Sequence, residues 1–573
     1  MSSLLHTFVL SRRTPWLRLQ PAHRWYTRYH GTKVPSFEAI GIDHTVVRAL
    51  GKAFPNVQQP TAAQAQYIPA ILDGKDVLLK GETGSGKSFG LVLALLNQPR
   101  KFWREEDEKP VITSLLITPH RDLAYQFMHW IGSILDVTPE AMPLPTVAQV
   151  LLRNASVPIH DQIKDIISNS PQILIATPQA LLEAFHDDSA PLDLRGISAV
   201  VVDEADYLLE TISTGLEKHK RSKLEQNLER HPSPTRQILN LIYGSKRKIS
   251  GQKPQKRFGS VTRENPAGVF YPRPQLILSS ATLRATFRQS VLHDGWLTSV
   301  YGNLVKVGED STSPDAPVRE SAITHCALVV SEEGEATNIA GAIEQAATEP
   351  TEDDTTSTEE IPLTIDPVVE GISQEDIAVF ESQPSPFNQA ALEVLAAAFA
   401  MDVPRVALLV LPAEASVRRA VFDLRMLGVN AHGLDVLDTT RGGAYLLRHG
   451  TQPEANPTLL VSTLATTRGL DLPDLTHVFI LGVTEALTTD TYLHAAGRVG
   501  RFGRPGKVIT ILESRRQVMK KQANKIGFKD EPKWLNKIYR AIGVTPTKFE
   551  HFGEAEEVEE PRYIYPGKVQ RPE

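Results

Sequence analysis

Residues 81–88, GETGSGKS, combine three glycines, a lysine and a serine directly after the apolar run DVLLK. This Gly-x4-Gly-Lys-Ser spacing is typical of a loop that holds nucleotide phosphates. Glycines allow backbone N–H groups to face phosphate oxygens, and the helix that begins there adds partial positive charge. The lysine of the pattern reaches the β- and γ-phosphates, and the serine binds Mg²⁺. The sequence thus predicts a triphosphate site with Mg²⁺, rather than a glycine-rich turn without a ligand, formed by Gly81, Glu82, Thr83, Gly84, Ser85, Gly86, Lys87 and Ser88.

Three acidic residues occur in the sequence Asp-Glu-Ala-Asp at 203–206, which follows a second apolar run, AVVV. A carboxylate at a strand end beside a phosphate-binding loop can hold Mg²⁺, which is the role expected of Asp203. Glu204 is in a position to accept a proton from an attacking water. The alternative is a helix start with acidic residues, which is common because such residues favour the helix N-terminus.

A third group of candidates lies far along the chain, in HAAGRVGR at 494–501. Arginines brought to a γ-phosphate neutralise the charge that develops during phosphoryl transfer, so Arg498 and Arg501 are predicted to be catalytic. The alternative is a glycine-rich basic loop on the surface.

Two series of apolar runs must position these residues. The first is DVLLKG, SLLITP, QILIATP, AVVVDEAD and QLILSSAT, and the second is HCALVV, RVALLVL, TLLVST, HVFILG and KVITILE. Runs that are apolar on both faces favour parallel strands covered by helices, and ligands bind beyond the carboxyl ends of such strands. The predicted fold class is therefore α/β, with two units of similar size and parallel sheets.

Composition limits the remaining possibilities. A chain of 573 residues suggests two or three domains, and its single cysteine, Cys326, excludes an internal disulfide and a multi-cysteine zinc site. Residues 1–36 hold six Lys/Arg and no Asp/Glu, which is typical of a mitochondrial transit peptide. A disordered basic arm that contacts RNA is the alternative.

Three later segments are strongly charged. Residues 211–274 hold fourteen Lys/Arg against four Asp/Glu, which predicts a basic insertion that is helical near its start. Residues 331–383 hold fifteen Asp/Glu and no Lys/Arg, which predicts disorder. The basic stretch 515–529 is predicted to be helical.

Taken together, these motifs resemble the DEAD-box RNA helicases over roughly residues 37–515. The resemblance implies two tandem RecA-like domains that use ATP and Mg²⁺ and bind RNA. It implies that Gln64 and Phe37 recognise adenine, and that Gly469 and Asp471 lie near the nucleotide. The expected RNA contacts are Pro119, Arg121, Thr177, Pro178 and Thr463, and the residues expected to couple the domains are Ser280, Thr282 and His494.

The sequence departs from the family pattern mainly at RNA-contacting and coupling positions. TPQA (177–180) lacks the usual glycine and arginine, Leu464 replaces a common aspartate, and Ala495 replaces an arginine. These departures predict retained ATPase chemistry with a less typical RNA grip. The basic segments 211–274 and 515–548 either supply phosphate contacts or form a solvated charged surface.

The closest resemblance is to the fungal mitochondrial DEAD-box helicases of large mitoribosomal subunit assembly. The expected partners are then ribosomal RNA and mitoribosomal assembly proteins in the mitochondrial matrix. A non-unwinding RNA clamp or scaffold, a general mitochondrial helicase for splicing or RNA turnover, and a DNA helicase or translocase remain alternatives. The predicted domains are a transit peptide at 1–36, a first RecA-like domain at 37–305, a linker at 306–319, a second RecA-like domain at 320–515 and a C-terminal extension at 516–573.

Overall fold

The computed structural model describes most of the chain. The described residues are 35–81, 84–102, 110–138, 142–153, 157–187, 192–210, 218–244, 273–281, 283, 285–297, 302–308, 323–344, 374–434, 457–467, 469–470, 472, 475–484, 487–500, 505–520 and 525–554. Contacts divide the chain into two compact units, with the boundary between Arg319 and Glu320, and residues 466–473 belong to the first unit.

The first unit is built on a seven-stranded sheet in which every strand pair is parallel. All five apolar runs predicted for this unit are strands. The sheet order is β3-β4-β2-β5-β6-β1-β7, where the strands are β1 (Asp76–Lys80), β2 (Ser114–Ile117), β3 (Ala148–Leu151), β4 (Ile173–Ala176), β5 (Ala199–Val202), β6 (Gln275–Ser280) and β7 (Leu304–Val307).

Helices cover both faces of this sheet. Successive strand residues alternate between two hydrophobic cores, as Val77 and Leu78 of β1 do, because side chains alternate across a strand. The helices are α1 (His44–Ala53), α2 (Ala62–Leu72), α3 (Lys87–Leu96), α4 (Arg121–Asp136), α5 (Leu144–Val147), α6 (Ile159–Asn169), α7 (Pro178–Phe185), α8 (Ala205–Leu208), α9 (Lys218–Arg230), α10 (Pro234–Tyr243) and α11 (Ala285–Asp294).

The second unit contains an eight-stranded sheet that is parallel except for the β8–β9 pair. Its order is β11-β12-β10-β13-β14-β8-β9-β17, where the strands are β8 (Ile323–Val330), β9 (Ala336–Asn338), β10 (Val406–Leu411), β11 (Ala431–Gly433), β12 (Thr458–Thr463), β13 (Leu475–Leu481), β14 (Gly506–Glu513) and β17 (Gly553–Glu554). A separate hairpin consists of β15 (Arg516–Lys520) and β16 (Lys525–Lys529), and the helices are α12 (Gln374–Ser382), α13 (Gln389–Asp402), α14 (Val417–Met426), α15 (Thr489–Ala496) and α16 (Glu531–Ile542). The predicted fold class, two α/β units with parallel sheets, is confirmed.

The prediction of disorder for 331–383 is wrong at both ends of that segment. Strand β9 pairs with β8, and Asn338 donates hydrogen bonds to the carbonyls of Phe549 and Phe552 at 3.1 and 2.7 Å. Residues 374–382 form α12. A charge average over the whole segment concealed the order at its ends; residues 345–373 lie outside the described residues.

Two further expectations about the charged segments are wrong. Helix α10, inside the predicted basic insertion 211–274, is an integral part of the first unit because Ile238, Leu239 and Ile242 are buried in one of its cores. Among the described elements of this segment, α9 is the one that agrees with the predicted helical start of the insertion. Residues 245–272 lie outside the described part of the chain. The stretch 515–529, predicted to be helical, forms the antiparallel β15–β16 hairpin instead.

None of the helices in the described ranges combines the length and the apolar character needed to span a bilayer.

Candidate nucleotide site

The phosphate-loop motif connects the end of β1 to the start of α3. Gly84 and Gly86 have φ angles of 79° and 77°, which side chains with a Cβ rarely adopt. Gly86 is the N-cap of α3, so the free N–H groups of the first helical turn face the loop. Glu82 and Thr83 lie outside the described residues. The loop therefore has the backbone conformation that an anion-binding helix start requires.

Helix α2 supports the loop through two side chains. The Gln64 amide donates to the carbonyl of Gly86 at 2.9 Å and accepts from the backbone N–H of Thr61 at 2.9 Å. Thr61 in turn accepts from the backbone N–H of Gln64, which completes a capping box. Gln64 is only 2% exposed, so in this structure it joins the start of α2 to the loop, while its role in adenine recognition stays a prediction.

Tyr67 is a supporting residue that the sequence reasoning missed. Its hydroxyl donates to the carbonyl of Lys87 at 2.8 Å, and burial raises the pKa of Tyr67 well above its ordinary value, which keeps the donor proton in place. A Cβ atom on Gly90 would collide with this hydroxyl. The position of Tyr67 three residues after Gln64, on the same face of α2, was the available signal.

Lys87, Ser88 and Asp203 form the polar centre of the site. The ammonium group of Lys87 donates to the carbonyl of Gly81 at 2.6 Å, and the hydroxyl of Ser88 donates to Oδ2 of Asp203 at 2.7 Å. Lys87 and Asp203 are 7% and 1% exposed. The structure thus brings together residues that are 115 positions apart, because β5 and β1 both border β6 and run parallel to it.

The protonation of Asp203 is strongly affected by its surroundings. Its pKa is raised from 3.8 to about 6, because burial and then the charge of Glu204 raise it more than the Ser88 hydrogen bond and the Lys87 charge lower it. A bound divalent cation would favour the ionised form. Glu204 is 5% exposed and has a left-handed φ of 51°, which is uncommon for a residue other than glycine.

The donor atoms present here fit Mg²⁺ and a polyphosphate. A hydroxyl and a carboxylate are hard oxygen ligands of the kind that Mg²⁺ selects, and Mg²⁺ is usually held by one or two such groups together with phosphate oxygens. The Ser88–Asp203 contact shows that both oxygens reach one point. Lys87, beside them, is a cation that can face phosphate oxygens.

The predicted RNA contacts of the first unit lie at one edge of its sheet. Pro119 and Arg121 follow β2, and Thr177 and Pro178 follow β4, its parallel neighbour. The Arg121 side chain is 52% exposed, whereas Thr177 is a 9% exposed N-cap. The starts of α4 and α7 and the exposed guanidinium of Arg121 therefore lie at the same edge of the sheet. Groups of this kind suit contacts with RNA phosphates.

Ser280 and Phe37 are both enclosed by protein. Ser280 ends β6, and its carbonyl accepts from the N–H of Gly81 at 3.3 Å, so the serine of the SAT motif touches the phosphate loop. Thr282 lies outside the described residues. Phe37 is 2% exposed within a core and presents no open ring face in this structure; its contact with adenine stays a prediction.

Several predicted residues occur late in the chain. Thr463 ends β12 in the second unit. Arg498 is 2% exposed and its Nε donates to the carbonyl of His494 at 2.9 Å. Gly469 has a φ of 74° and belongs to the segment grouped with the first unit, where a Cβ on it would lie 2.6 Å from Leu123. The predicted residues Asp471 and Arg501 lie outside the described ranges.

Comparison with known families agrees with these motifs. The DEAD/DEAH box helicase family matches residues 61–289, and the helicase conserved C-terminal domain matches residues 448–503. DEAD-box ATP-dependent RNA helicase 16 of Arabidopsis thaliana is 30% identical over 189 residues, 33% of this chain and 28% of that protein. Probable ATP-dependent RNA helicase DDX28 of Homo sapiens is 31% identical over 223 residues, 36% of this chain and 37% of that protein.

ATP-dependent rRNA helicase SPB4 of Meyerozyma guilliermondii is 30% identical over 167 residues, 29% of this chain and 26% of that protein. The matched regions span less than two fifths of the length of these three relatives.

Solved structures extend the likeness to nearly the whole chain. The structure of Mss116p bound to ssRNA and AMP-PNP has a TM-score of 0.55 at 18% identity and covers 92% of this chain and 80% of that chain. The S. cerevisiae Dbp5 structure bound to RNA and ADP BeF3 has a TM-score of 0.51 at 16% identity and covers 90% of this chain and 95% of that chain. Likeness at this identity concerns the fold, and it confirms two tandem RecA-like domains.

Proposed function

We propose that this chain is a DEAD-box helicase that hydrolyses ATP and uses the reaction to bind and release RNA. The observation that carries the proposal is the 2.7 Å contact of Ser88 with Asp203 beside the buried Lys87. A hydroxyl, a carboxylate and an ammonium group at a glycine-rich helix start are the groups that phosphoryl transfer needs on the enzyme side.

Each residue of the first unit has a distinct role in this proposal. The loop N–H groups and Lys87 bind the triphosphate, and Ser88 and Asp203 hold Mg²⁺, which supplies positive charge to the phosphate oxygens. Glu204 accepts the proton of the attacking water. Gln64 and Tyr67 hold the loop, because both donate to carbonyls at the start of α3.

Residues from the second unit complete the proposed cycle. Arg498 and Arg501 neutralise the charge that develops on the γ-phosphate during hydrolysis. Thr463 contacts the RNA backbone, as Pro119, Arg121 and Thr177 do from the first unit. Because backbone contacts read no sequence, the choice of target RNA falls to other segments or to partner proteins.

The proposed setting is the mitochondrial matrix, with assembly of the large mitochondrial ribosomal subunit as the task. Support comes from the arginine-rich, acid-free residues 1–36 and from the likeness to a relative named an rRNA helicase. Crosslinking the tagged protein to RNA in isolated mitochondria and sequencing the bound fragments tests this proposal. Large-subunit ribosomal RNA is expected to dominate, while mostly messenger or intron RNA would contradict the task and favour a general mitochondrial helicase.

A non-unwinding RNA clamp is the second candidate, and one observation favours it. Ala180, the last residue of TPQA, is fully buried, so no long basic side chain extends to RNA from this position. A strand-displacement assay on a short RNA duplex distinguishes the two candidates. ATP-dependent displacement supports the helicase, whereas RNA-stimulated ATP hydrolysis without displacement supports the clamp.

A further inference from the structure

Helix α16 packs against α15, the helix that precedes Arg498. It belongs to the predicted C-terminal extension 516–573, to which the proposed function assigns no task. Its buried residues are Glu531, Leu535, Ile538 and Tyr539, and this spacing places them on one face of the helix. Glu531 and Tyr539 carry polar groups, so the contacts of this face are not only apolar.

Tyr539 and Tyr492 form a buried aromatic pair between α16 and α15. Their ring centroids are 5.8 Å apart at an interplanar angle of 79°. This edge-to-face arrangement stabilises an aromatic pair beyond the burial of its area. The hydroxyl of Tyr492 also lies 2.8 Å from Nδ1 of His325 on β8. Helix α15 is therefore fixed both to α16 and to the sheet of the second unit.

Glu531 connects the first turn of α16 to the chain just before α15. It is buried, and its Oε2 accepts from the backbone N–H of Val483 at 3.3 Å and from that of Glu513 at 3.0 Å. Val483 follows β13, and the chain then reaches Thr488, the N-cap of α15. A buried N–H that loses its acceptor is costly. The start of α16 therefore fixes the segment that leads into α15.

The last turn of α15 holds Arg498. The backbone N–H of Arg498 donates to the carbonyl of Ala495 at 3.2 Å, and its Nε donates to the carbonyl of His494 at 2.9 Å. The next residue, Val499, is buried, and a Cβ atom on Gly506 would lie 2.5 Å from the Cβ of Val499. The chain after Arg498 is thus closely packed. A shift of α15 would therefore move the guanidinium of Arg498 with it.

We propose that Tyr539 and Glu531 are positioning residues for Arg498, and that they act through α15. They keep the guanidinium in the place from which it neutralises charge on the γ-phosphate. This inference rests on the proposed function, since it takes ATP hydrolysis assisted by Arg498 as the reaction. It adds a task for the C-terminal extension, because α16 aligns a catalytic group that it does not itself supply.

The test uses the full chain and measures steady-state ATP hydrolysis with saturating poly(U) RNA. Tyr539→Leu removes the ring, whereas Tyr539→Phe keeps the ring and loses the hydroxyl. The matched control is Phe399→Leu, which removes a buried ring of α13 from a core of the second unit whose described members do not include α15. Circular dichroism and urea unfolding establish the conditions under which each variant is folded.

Tyr539→Leu is expected to lower kcat about tenfold or more, since a misplacement of about 1 Å costs up to about a hundredfold in rate. The KM for ATP stays near its wild-type value, because Arg498 acts on charge that develops in the transition state. Tyr539→Phe restores most of kcat, since the edge-to-face packing persists. Phe399→Leu lowers the unfolding midpoint and leaves kcat unchanged. A purely structural role of Tyr539 would give the two leucine variants the same kinetics.

A second background shows whether the effect passes through Arg498. Arg498→Lys keeps a positive charge but lacks the Nε donor that binds the carbonyl of His494. Substitutions in residues that act as one unit are not additive. Tyr539→Leu is therefore expected to lower kcat by at most about twofold in the Arg498→Lys background.

Three results would overturn the inference: the same kcat in Tyr539→Leu and Phe399→Leu, a rise in KM without a fall in kcat, or an unchanged cost of Tyr539→Leu in the Arg498→Lys background. If Tyr539→Leu does not fold, Glu531→Gln takes its place in both comparisons. It keeps the shape of the side chain but is a weaker acceptor for the N–H groups of Val483 and Glu513. Unchanged hydrolysis in Arg498→Lys alone is a different result, because it contradicts the proposed function itself.

Discussion

The hydroxyl of Tyr67 occupies the space that a Cβ atom on Gly90 would need, and it donates to the carbonyl of Lys87 at 2.8 Å. Glycine at position 90 therefore allows α2 and α3 to pack closely at the first turn of α3. The same turn begins with the lysine of the phosphate loop. The Tyr67 contact therefore both packs α2 against α3 and holds the start of the helix that carries Lys87.

Gly90→Ala should destabilise the first unit by about 1–3 kcal/mol, because an added methyl group in a packed core forces side chains out of place. Urea unfolding measures this change. Tyr67→Phe should restore part of the loss in the double variant, though Gln64 Cγ would still lie 2.8 Å from the new Cβ. Gly132→Ala is the control, since its nearest neighbour would be 3.7 Å away. Wild-type stability of Gly90→Ala would contradict the packing argument.

Asp203→Asn should increase the stability of the protein without nucleotide at pH 7.5 while abolishing ATP hydrolysis. The folded-state pKa of Asp203, about 6, is above the ordinary value of 3.8. The carboxyl group therefore contributes less stability as pH rises from about 4 to about 6, by at most about 3 kcal/mol. Unfolding at pH 5 and pH 7.5 tests the sign of this dependence.

A matched control for Asp203→Asn is Asp165→Asn, which changes an exposed carboxylate on α6. We expect it to have a small effect on stability and none on ATP hydrolysis. A loss of stability in Asp203→Asn that is greater at high pH than at low pH would show that the buried carboxylate stabilises the fold, contrary to the account.

His325 should make the second unit sensitive to acid. It is 6% exposed, its Nδ1 lies 2.8 Å from the hydroxyl of Tyr492, and burial lowers its pKa from 6.5 to about 4. The unfolded chain takes up a proton at this residue below pH 6.5 and the folded chain does not, so stability is lost as pH falls from 6.5 to 4, by up to about 3 kcal/mol.

His325→Gln removes the residue that takes up a proton in the unfolded chain, and it also disturbs the packing around position 325. Hydrogen exchange in β8 and β14, measured from pH 7 to pH 4 and corrected for the intrinsic rate, should show a flatter pH dependence of protection in the variant. Identical pH profiles for both proteins would refute the assignment.

The strands were predictable from the sequence where burial on both faces produced apolar runs, as in AVVV before Asp203. Strand β3, AQVL, was missed because it is a short strand whose two middle residues are only half-buried. The β15–β16 hairpin was missed because basic residues dominate its sequence and conceal the strand pattern. Charge averages likewise concealed β9, whose order depends on hydrogen bonds from Asn338 to a segment more than 200 residues later.

In the candidate site too, contiguous motifs could be predicted from the sequence, whereas contacts between residues distant in sequence could not. The phosphate-loop spacing identified Lys87 and Ser88 directly, because the motif is contiguous. The Mg²⁺ role predicted for both Ser88 and Asp203 implied that they lie close together, but their direct hydrogen bond depends on the sheet order, which no local pattern contains. The Tyr67 hydroxyl and Gly90 were missed because the spacing from Gln64 places Tyr67 only on a face of α2, and its contacts with α3 exist only in the packed structure.

RNA-stimulated ATP hydrolysis by wild-type protein and Lys87→Ala tests the central claim most directly. Exposed Lys164 provides the control, Lys164→Ala, since its side chain is 61% exposed. We expect RNA to stimulate hydrolysis more than DNA does in the wild type and in the control. Lys87→Ala should remain folded, and its hydrolysis should fall to background with either nucleic acid. Full turnover by Lys87→Ala, or no response of the wild type to RNA, would contradict it.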